Sequence, residues 1–225
     1  DATRVEVNTI SPEMAKVRDY VPDYAVMAHR GSTFWAPEET ESAWRWAREM
    51  GVDYLESDLQ CTKDGVILAN HDDNLKRTTN IENVYSELVP ATRKAFYMRH
   101  GVSEADAEKL VAADKASFRP YYAMSYMYEE LLALDAGSWF NETSIEQARE
   151  EFSEQHQYVS ALEDQIRYAE GKMLKRDSNG ERVYTVTGTW NPDKPRDCLT
   201  YKFEYVDDPQ DTGHRPGCLL YTSPS

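Results

Sequence analysis

The chain has 225 residues, 40% of them hydrophobic, and its 40 acidic residues outnumber its 25 basic residues to give a formal net charge of −15. A chain of this length can bury a sizeable hydrophobic core. The acidic balance argues against a nucleic-acid partner, because proteins bind the phosphate backbone through clustered Lys and Arg. No apolar run approaches the roughly 20 residues of a membrane-spanning helix, so we predict no transmembrane segment.

The first part of the chain has the strand–helix–strand pattern that favours a parallel α/β sheet or barrel. Short apolar runs predict a strand over 24–28 and a second strand over 52–60. Between them, the spacing of the apolar residues predicts a helix from Thr40 to about Met50. We therefore expect the first two strands to lie parallel to each other.

A turn at 62–65 leads directly into a short strand over 66–69. This link is too short for a parallel crossover, so the two strands that flank the turn should form a hairpin. If two residues form the loop, Glu56 lies opposite His71. Opposed residues share a face of the sheet, and this register therefore places the imidazole of His71 beside the carboxylate of Glu56.

The later part of the chain contains two long segments that do not follow the strand–helix–strand pattern. Residues 80–126 are predicted to form a largely helical insert, and helices follow over 144–152 and 161–170. Residues 175–213 are rich in Asp, Pro, Gly and Asn, and two strand-like runs among them predict an inserted β-hairpin.

Residues that can carry chemistry are concentrated between the first strand and the hairpin. His29 ends the first strand, and catalytic groups of α/β barrels cluster at such C-terminal strand ends. Glu56 and Asp58 are two residues apart on one strand and so lie on the same face, where paired carboxylates suit a hard divalent cation. Histidines on either side of such a cation can act as general base and general acid. Each signal alone has an ordinary structural explanation, and only their combination favours a catalytic site.

Six short blocks in this region resemble, in order, the signature of the glycerophosphodiester phosphodiesterase family. Residues 134–140 and 160–163 resemble the next two segments of the same family, so the resemblance extends over most of residues 24–171. The six blocks are His29-Arg-Gly31, Pro37-Glu-Glu-Thr40, Glu56-Ser-Asp58, Thr62-Lys-Asp-Gly65, His71-Asp72 and Leu75-Lys-Arg-Thr-Thr79.

The resemblance implies a TIM (β/α)8 barrel of the PLC-like phosphodiesterase type. It also implies hydrolysis of a small-molecule glycerophosphodiester to glycerol 3-phosphate and an alcohol, by way of the glycerol hydroxyl and a cyclic phosphate. In that family His29 and His71 would be the acid/base pair. Glu56 and Asp58 would bind a divalent cation, Ca²⁺ or Mg²⁺, and Arg30 would bind the substrate phosphate. Many relatives are periplasmic or secreted, but no residue here indicates a compartment or an oligomeric state.

The chain departs from the family pattern in three respects. Glu39 stands where the family usually has Asn, and residues 80–126 are longer than the corresponding family loop. After Gly217 the family continues into a strand with a third metal-binding Glu and a phosphate-binding Lys, whereas this chain ends in an unrelated tail over 218–225. We therefore expect residues 1–225 to be a single, C-terminally truncated domain that contains the first three or four βα units of the barrel.

Two alternatives stay open from the sequence. One is another phospholipase of the same superfamily, such as a sphingomyelinase D-like enzyme, which shares the arrangement of two His, Glu and Asp; assays of headgroup release distinguish the two. The other is a non-catalytic barrel used for binding, although the intact set of His29, Glu56, Asp58 and His71 argues against it.

We predict that residues 1–225 alone neither hydrolyse glycerophosphodiesters efficiently nor hold a divalent ion tightly. Two protein carboxylates supply only part of the roughly six to eight oxygen ligands that Ca²⁺ takes. Three or four strands also cannot close a barrel, which leaves an unpaired edge and marginal stability. The measurements are thermal unfolding and hydrolysis of glycerophosphocholine with added Ca²⁺ or Mg²⁺. A soluble monomer with a cooperative transition and family-like turnover would contradict this prediction.

Overall fold

The computed structural model describes residues 24–143 and 156–221, which form a mixed α/β structure. The predicted helix over 144–152 lies outside the described residues. The helices are α1 (Glu41–Glu49), α2 (Ile81–Val84), α3 (Arg93–Arg99), α4 (Glu104–Ser117), α5 (Tyr128–Leu131), α6 (Ser138–Thr143) and α7 (Leu162–Ala169). The strands are β1 (Met27–Ala28), β2 (Tyr54–Cys61), β3 (Ile67–Ala69), β4 (Lys172–Leu174), β5 (Tyr184–Gly188), β6 (Leu199–Phe203), β7 (Tyr205–Asp207) and β8 (Gly217–Tyr221).

Strand β2 is the centre of the main sheet. It pairs in parallel with β1 and with β8, and antiparallel with β3. The expected parallel pairing of the first two strands is therefore confirmed. Two further antiparallel pairs, β4 with β7 and β5 with β6, lie outside this sheet. Across residues 24–143 and 156–221 the strands do not close into a barrel, and no helix there is long and apolar enough to span a membrane.

Helix α1 begins where the sequence predicts. The side chain of Thr40 accepts a hydrogen bond from the backbone N–H of Ala43, which satisfies one of the free donors at the helix start. The fully buried Trp44 packs against Tyr168 of α7, with ring centroids 6.0 Å apart. These two helices cover one side of β1 and β2, and the short loop before α1 is thereby held next to the C-terminal end of β1.

The register of the β2–β3 hairpin differs from the prediction by one residue. Leu59 lies opposite Ala69, and Cys61 lies opposite Ile67. Because side chains alternate between the two faces, a shift of one residue changes which side chains meet. The predicted pairing of Glu56 with His71 is therefore wrong, and β3 ends before His71.

The turn explains the shift, because its loop has three residues instead of two. The backbone N–H of Gly65 donates to the carbonyl of Thr62 at 3.2 Å, and the N–H of Thr62 donates to the carbonyl of Val66 at 3.0 Å. Gly65 has φ +91°, the left-handed conformation that follows the turn in hairpins of this type. Contacts with distant segments fix the loop through Asp64, its central residue. The carboxylate of Asp64 accepts hydrogen bonds from the backbone N–H of Tyr128 at 2.9 Å and from the hydroxyl of Tyr201 at 2.5 Å.

We predict that Gly65→Ala destabilises the protein more than Gly180→Ala does. Both glycines occupy the same position in turns with the same two backbone hydrogen bonds, and both have positive φ, which costs a residue with a Cβ about 1–2 kcal/mol. A methyl group on Gly65 would also overlap the backbone of Arg196, whereas one on Gly180 would meet nothing. Chemical unfolding should show an additional loss of at least about 1 kcal/mol for Gly65→Ala, the usual scale of overpacking. Equal losses in the two variants would contradict the prediction.

Candidate active site

Three of the four predicted acid/base and metal residues lie together at the centre of the sheet. Ala28 of β1 pairs with Leu55 of β2, so the residues that follow them, His29 and Glu56, are neighbours. One potential ligand atom each from His29, Glu56 and Asp58 lies within 4.8 Å of the others. Glu56 is 9% exposed and Asp58 is 3% exposed, whereas His29 is open to solvent.

Arg30 holds the two carboxylates of this cluster in place. Its backbone N–H donates to Glu56 Oε2 at 2.9 Å, and its Nε donates to Asp58 Oδ2 at 2.9 Å. A further bond runs from its Nη1 to Glu38 Oε1 at 3.3 Å. Arg30 adopts φ +56°, an unfavourable conformation for a residue with a side chain. That conformation turns both its backbone donor and its guanidinium towards β2.

The residues of the cluster suit a hard divalent cation. Arg30 occupies one oxygen of each carboxylate, and within the described part of the chain Glu56 Oε1 and Asp58 Oδ1 accept no hydrogen bond. One oriented oxygen of each side chain is thus available, and carboxylate oxygens are the ligands that Ca²⁺ and Mg²⁺ prefer. The sequence assigned His29 only to proton transfer, and its position adds a nitrogen donor close enough to share the same ion.

His71 is not part of the three-residue cluster. It follows β3, its side chain is 38% exposed, and its Nδ1 lies 2.5 Å from Oδ1 of Asp72. Its connection to the cluster is indirect, through charged side chains that the sequence analysis did not assign. Arg77 binds Asp72 and Glu38, and Glu38 binds Arg30.

Glu38 and Arg77 are therefore site residues that sequence reasoning missed. Both stand in the family-like blocks quoted above, and that position is the one signal that singles them out. Burial opposes the ionisation of Glu38, but the guanidinium groups of Arg77 and Arg30 hold its pKa below the ordinary value. Burial likewise opposes the ionisation of Asp72, whose pKa is held below its usual value by Arg77 and His71.

Glu39, at the position where the resemblance leads us to expect Asn, is buried directly behind the carboxylate pair. Its Oε1 accepts a hydrogen bond from the backbone N–H of Asp58 at 2.8 Å, and its Oε2 lies 2.8 Å from the hydroxyl of Ser57. Burial, with the charges of Asp58 and Glu56, raises the pKa of Glu39 to about 8. Glu39 also has φ +58°, a conformation that Asn tolerates better than Glu.

We predict that Glu39→Gln stabilises the protein relative to the wild type by an amount that grows with pH. The pKa of Glu39 is higher in the folded than in the unfolded protein, so the folded state binds the extra proton between about pH 4.5 and 8. Wild-type stability therefore falls as pH rises through that window, by about 1.4 kcal/mol for each unit of pKa difference, and glutamine removes this loss. Chemical unfolding in EDTA across the window measures the difference.

Glu38→Gln is the matched control for this experiment. The pKa of Glu38 is lowered, so its contribution to stability is lost only as pH falls towards and below 4.5. Its effect should be constant between pH 5 and 8. A constant difference between Glu39→Gln and the wild type over that range would contradict the prediction.

Known proteins with similar sequences and structures cover parts of this chain. Glycerophosphoinositol inositolphosphodiesterase GDPD2 of Mus musculus is 30% identical over 132 residues, which are 59% of this chain and 19% of that protein. Glycerophosphodiester phosphodiesterase of Bacillus subtilis (strain 168) is 29% identical over 126 residues, which are 56% of this chain and 30% of that protein. The matched region therefore spans less than a third of the length of either curated relative.

Among solved structures, an Oleispira antarctica phosphodiesterase in complex with the product sn-glycerol-3-phosphate has a TM-score of 0.42 and 23% identity. That match covers 67% of this chain and 41% of the other. The profile of the glycerophosphoryl diester phosphodiesterase family matches residues 29–199, which is most of the chain and includes every residue of the cluster. The chain therefore belongs to the glycerophosphoryl diester phosphodiesterase family.

Proposed function

We propose that the protein is a metal-dependent hydrolase that converts a glycerophosphodiester to glycerol 3-phosphate and an alcohol, and that its strands belong to a (β/α)8 barrel. The observation that carries the proposal is the meeting of His29, Glu56 and Asp58 within 4.8 Å in a chain of this family. We also propose that residues 80–126 and 175–213 are inserts into the family domain.

Glu56 and Asp58 would hold Ca²⁺ or Mg²⁺ through the oxygens that Arg30 leaves available. Such an ion would neutralise charge on the phosphoryl group and lower the pKa of a bound hydroxyl. Arg30 would bind the substrate phosphate. Its Nη2 makes no hydrogen bond to any other described residue, so one end of the guanidinium is available to an anion while the other end stays on Asp58.

The two histidines would move the protons. One takes the proton of a glycerol hydroxyl as that oxygen attacks phosphorus, and the other gives a proton to the alcohol oxygen as its bond to phosphorus breaks. The product of this step is a cyclic phosphate, which water opens to glycerol 3-phosphate with the two roles exchanged. Because Nδ1 of His71 faces Asp72, its Nε2 is the nitrogen available for transfer.

We predict that His29→Ala or His71→Ala lowers turnover by at least about 100-fold, the usual contribution of one general acid or base. Asp58→Asn should instead raise the metal concentration needed for half-maximal activity, because it removes an ionised ligand. Release of glycerol 3-phosphate is measured for residues 1–225 and for the longest natural form of the chain. Glycerophosphocholine is one substrate, and the name of the mouse relative recommends glycerophosphoinositol as a second.

The exposed His156 supplies the matched control, since its ring packs on Tyr158 and does not belong to the cluster. His156→Ala should retain wild-type turnover. Near-normal turnover in both His29→Ala and His71→Ala would contradict the mechanism. Metal-dependent binding of the substrate without turnover by any form of the chain would favour a binding protein over an enzyme.

A further inference from the structure

The guanidinium of Arg77 lies between the carboxylates of Asp72 and Glu38. Its Nε donates to Asp72 Oδ2 at 2.7 Å, and its Nη2 donates to Asp72 Oδ1 at 3.3 Å. On the other side, its Nη2 and Nη1 donate to the two oxygens of Glu38 at 2.7 and 3.0 Å. The planar fork of a guanidinium can hold two carboxylates in this way, whereas the compact ammonium of lysine cannot.

Through Asp72, Arg77 determines which ring nitrogen of His71 carries the proton. The Oδ1 atom of Asp72 faces Nδ1 of His71 at 2.5 Å, and a neutral imidazole with a carboxylate at Nδ1 keeps its proton there. Arg77 binds the other oxygen, Oδ2, at 2.7 Å and Oδ1 more weakly at 3.3 Å, and thereby holds the carboxylate in the plane that keeps Oδ1 at the ring.

On the other side of Arg77 the same guanidinium supports Arg30. Glu38 Oε1 accepts from Arg77 and from Nη1 of Arg30, and Nε of Arg30 donates to Asp58. Acidic and basic side chains therefore alternate without interruption from His71 to the carboxylates of the cluster. Arg77 is the member that joins the half of the site with His71 to the half with His29.

We propose that Arg77 is a positioning residue that fixes His71 in the tautomer with its proton on Nδ1 and its Nε2 free, while it orients Arg30 through Glu38. The effect of Arg77 on catalysis rests on the proposed function, whereas its effect on the tautomer of His71 does not. Arg77 touches neither Glu56 nor Asp58, so it acts through Asp72 and Glu38.

The test is ¹⁵N NMR of the histidine rings in the 225-residue chain, at a pH where His71 is neutral. The wild type should show mainly the Nδ1–H form of His71. Arg77→Gln and Arg77→Lys should both shift the population towards Nε2–H, the form that free histidine prefers in water. Asp72→Ala, which removes the acceptor at Nδ1, is the positive control. Arg167→Gln is the matched negative control, because Arg167 is 42% exposed and also bridges two carboxylates, Glu163 of α7 and Glu170 directly after it.

A wild-type tautomer ratio in Arg77→Gln, or in Arg77→Lys, overturns the proposal, and so does a wild type that is mainly Nε2–H. The lysine variant keeps the charge and decides the question if the glutamine variant does not fold. Where the protein turns over substrate, kcat of Arg77→Gln should fall about tenfold or more, the usual effect of losing an outer partner of a site residue. Absence of hydrolysis by every form of the chain, including the longest natural form, would contradict the proposed function and leave the NMR result as the test of Arg77.

Discussion

The geometry of the candidate active site depends on the way Arg30 compensates the two buried carboxylates of β2. A buried carboxylate without a hydrogen-bond partner is costly, so donors must reach both Glu56 and Asp58. Arg30 supplies one donor from its backbone and one from its side chain, and it can do so only with φ +56°. This conformation costs about 1–2 kcal/mol, which the two charge-assisted bonds offset.

A second kind of interaction holds the later segments against this sheet: a tyrosine hydroxyl donates to a buried or half-buried carboxylate. Each such pair lets a large aromatic ring pack in the core while its polar end is satisfied. The pair at the β2–β3 turn matters most for the site, because it joins β6 to the loop that sets the register of the hairpin. Such pairs include Tyr201 with Asp64, Tyr205 with Asp164 and Tyr184 with Glu129. Tyr97 and Asp114 join α3 to α4 in the same way.

The features that the sequence predicts correctly are determined by neighbouring residues. The features that it does not predict depend on contacts between residues far apart in the chain. The cap of α1 and the parallel pairing of β1 with β2 were predicted correctly, because caps and apolar periodicity act over a few residues. The hairpin was foreseen but its register was not, since Asp64 settles the loop length by binding Tyr128 and Tyr201. The bond between Arg77 and Glu38 joins residues 39 positions apart, and two charged residues at that separation carry no pairing signal.

Glu39 lies behind the carboxylates that would hold the proposed cation. Burial raises the pKa of Glu39 to about 8, so at neutral pH and without a bound cation this carboxyl is mainly protonated. An ionised Glu39 would add negative charge beside Glu56 and Asp58, where the proposed anionic substrate would bind. At neutral pH this glutamate therefore places a mainly uncharged side chain at the position where the resemblance to the family leads us to expect asparagine.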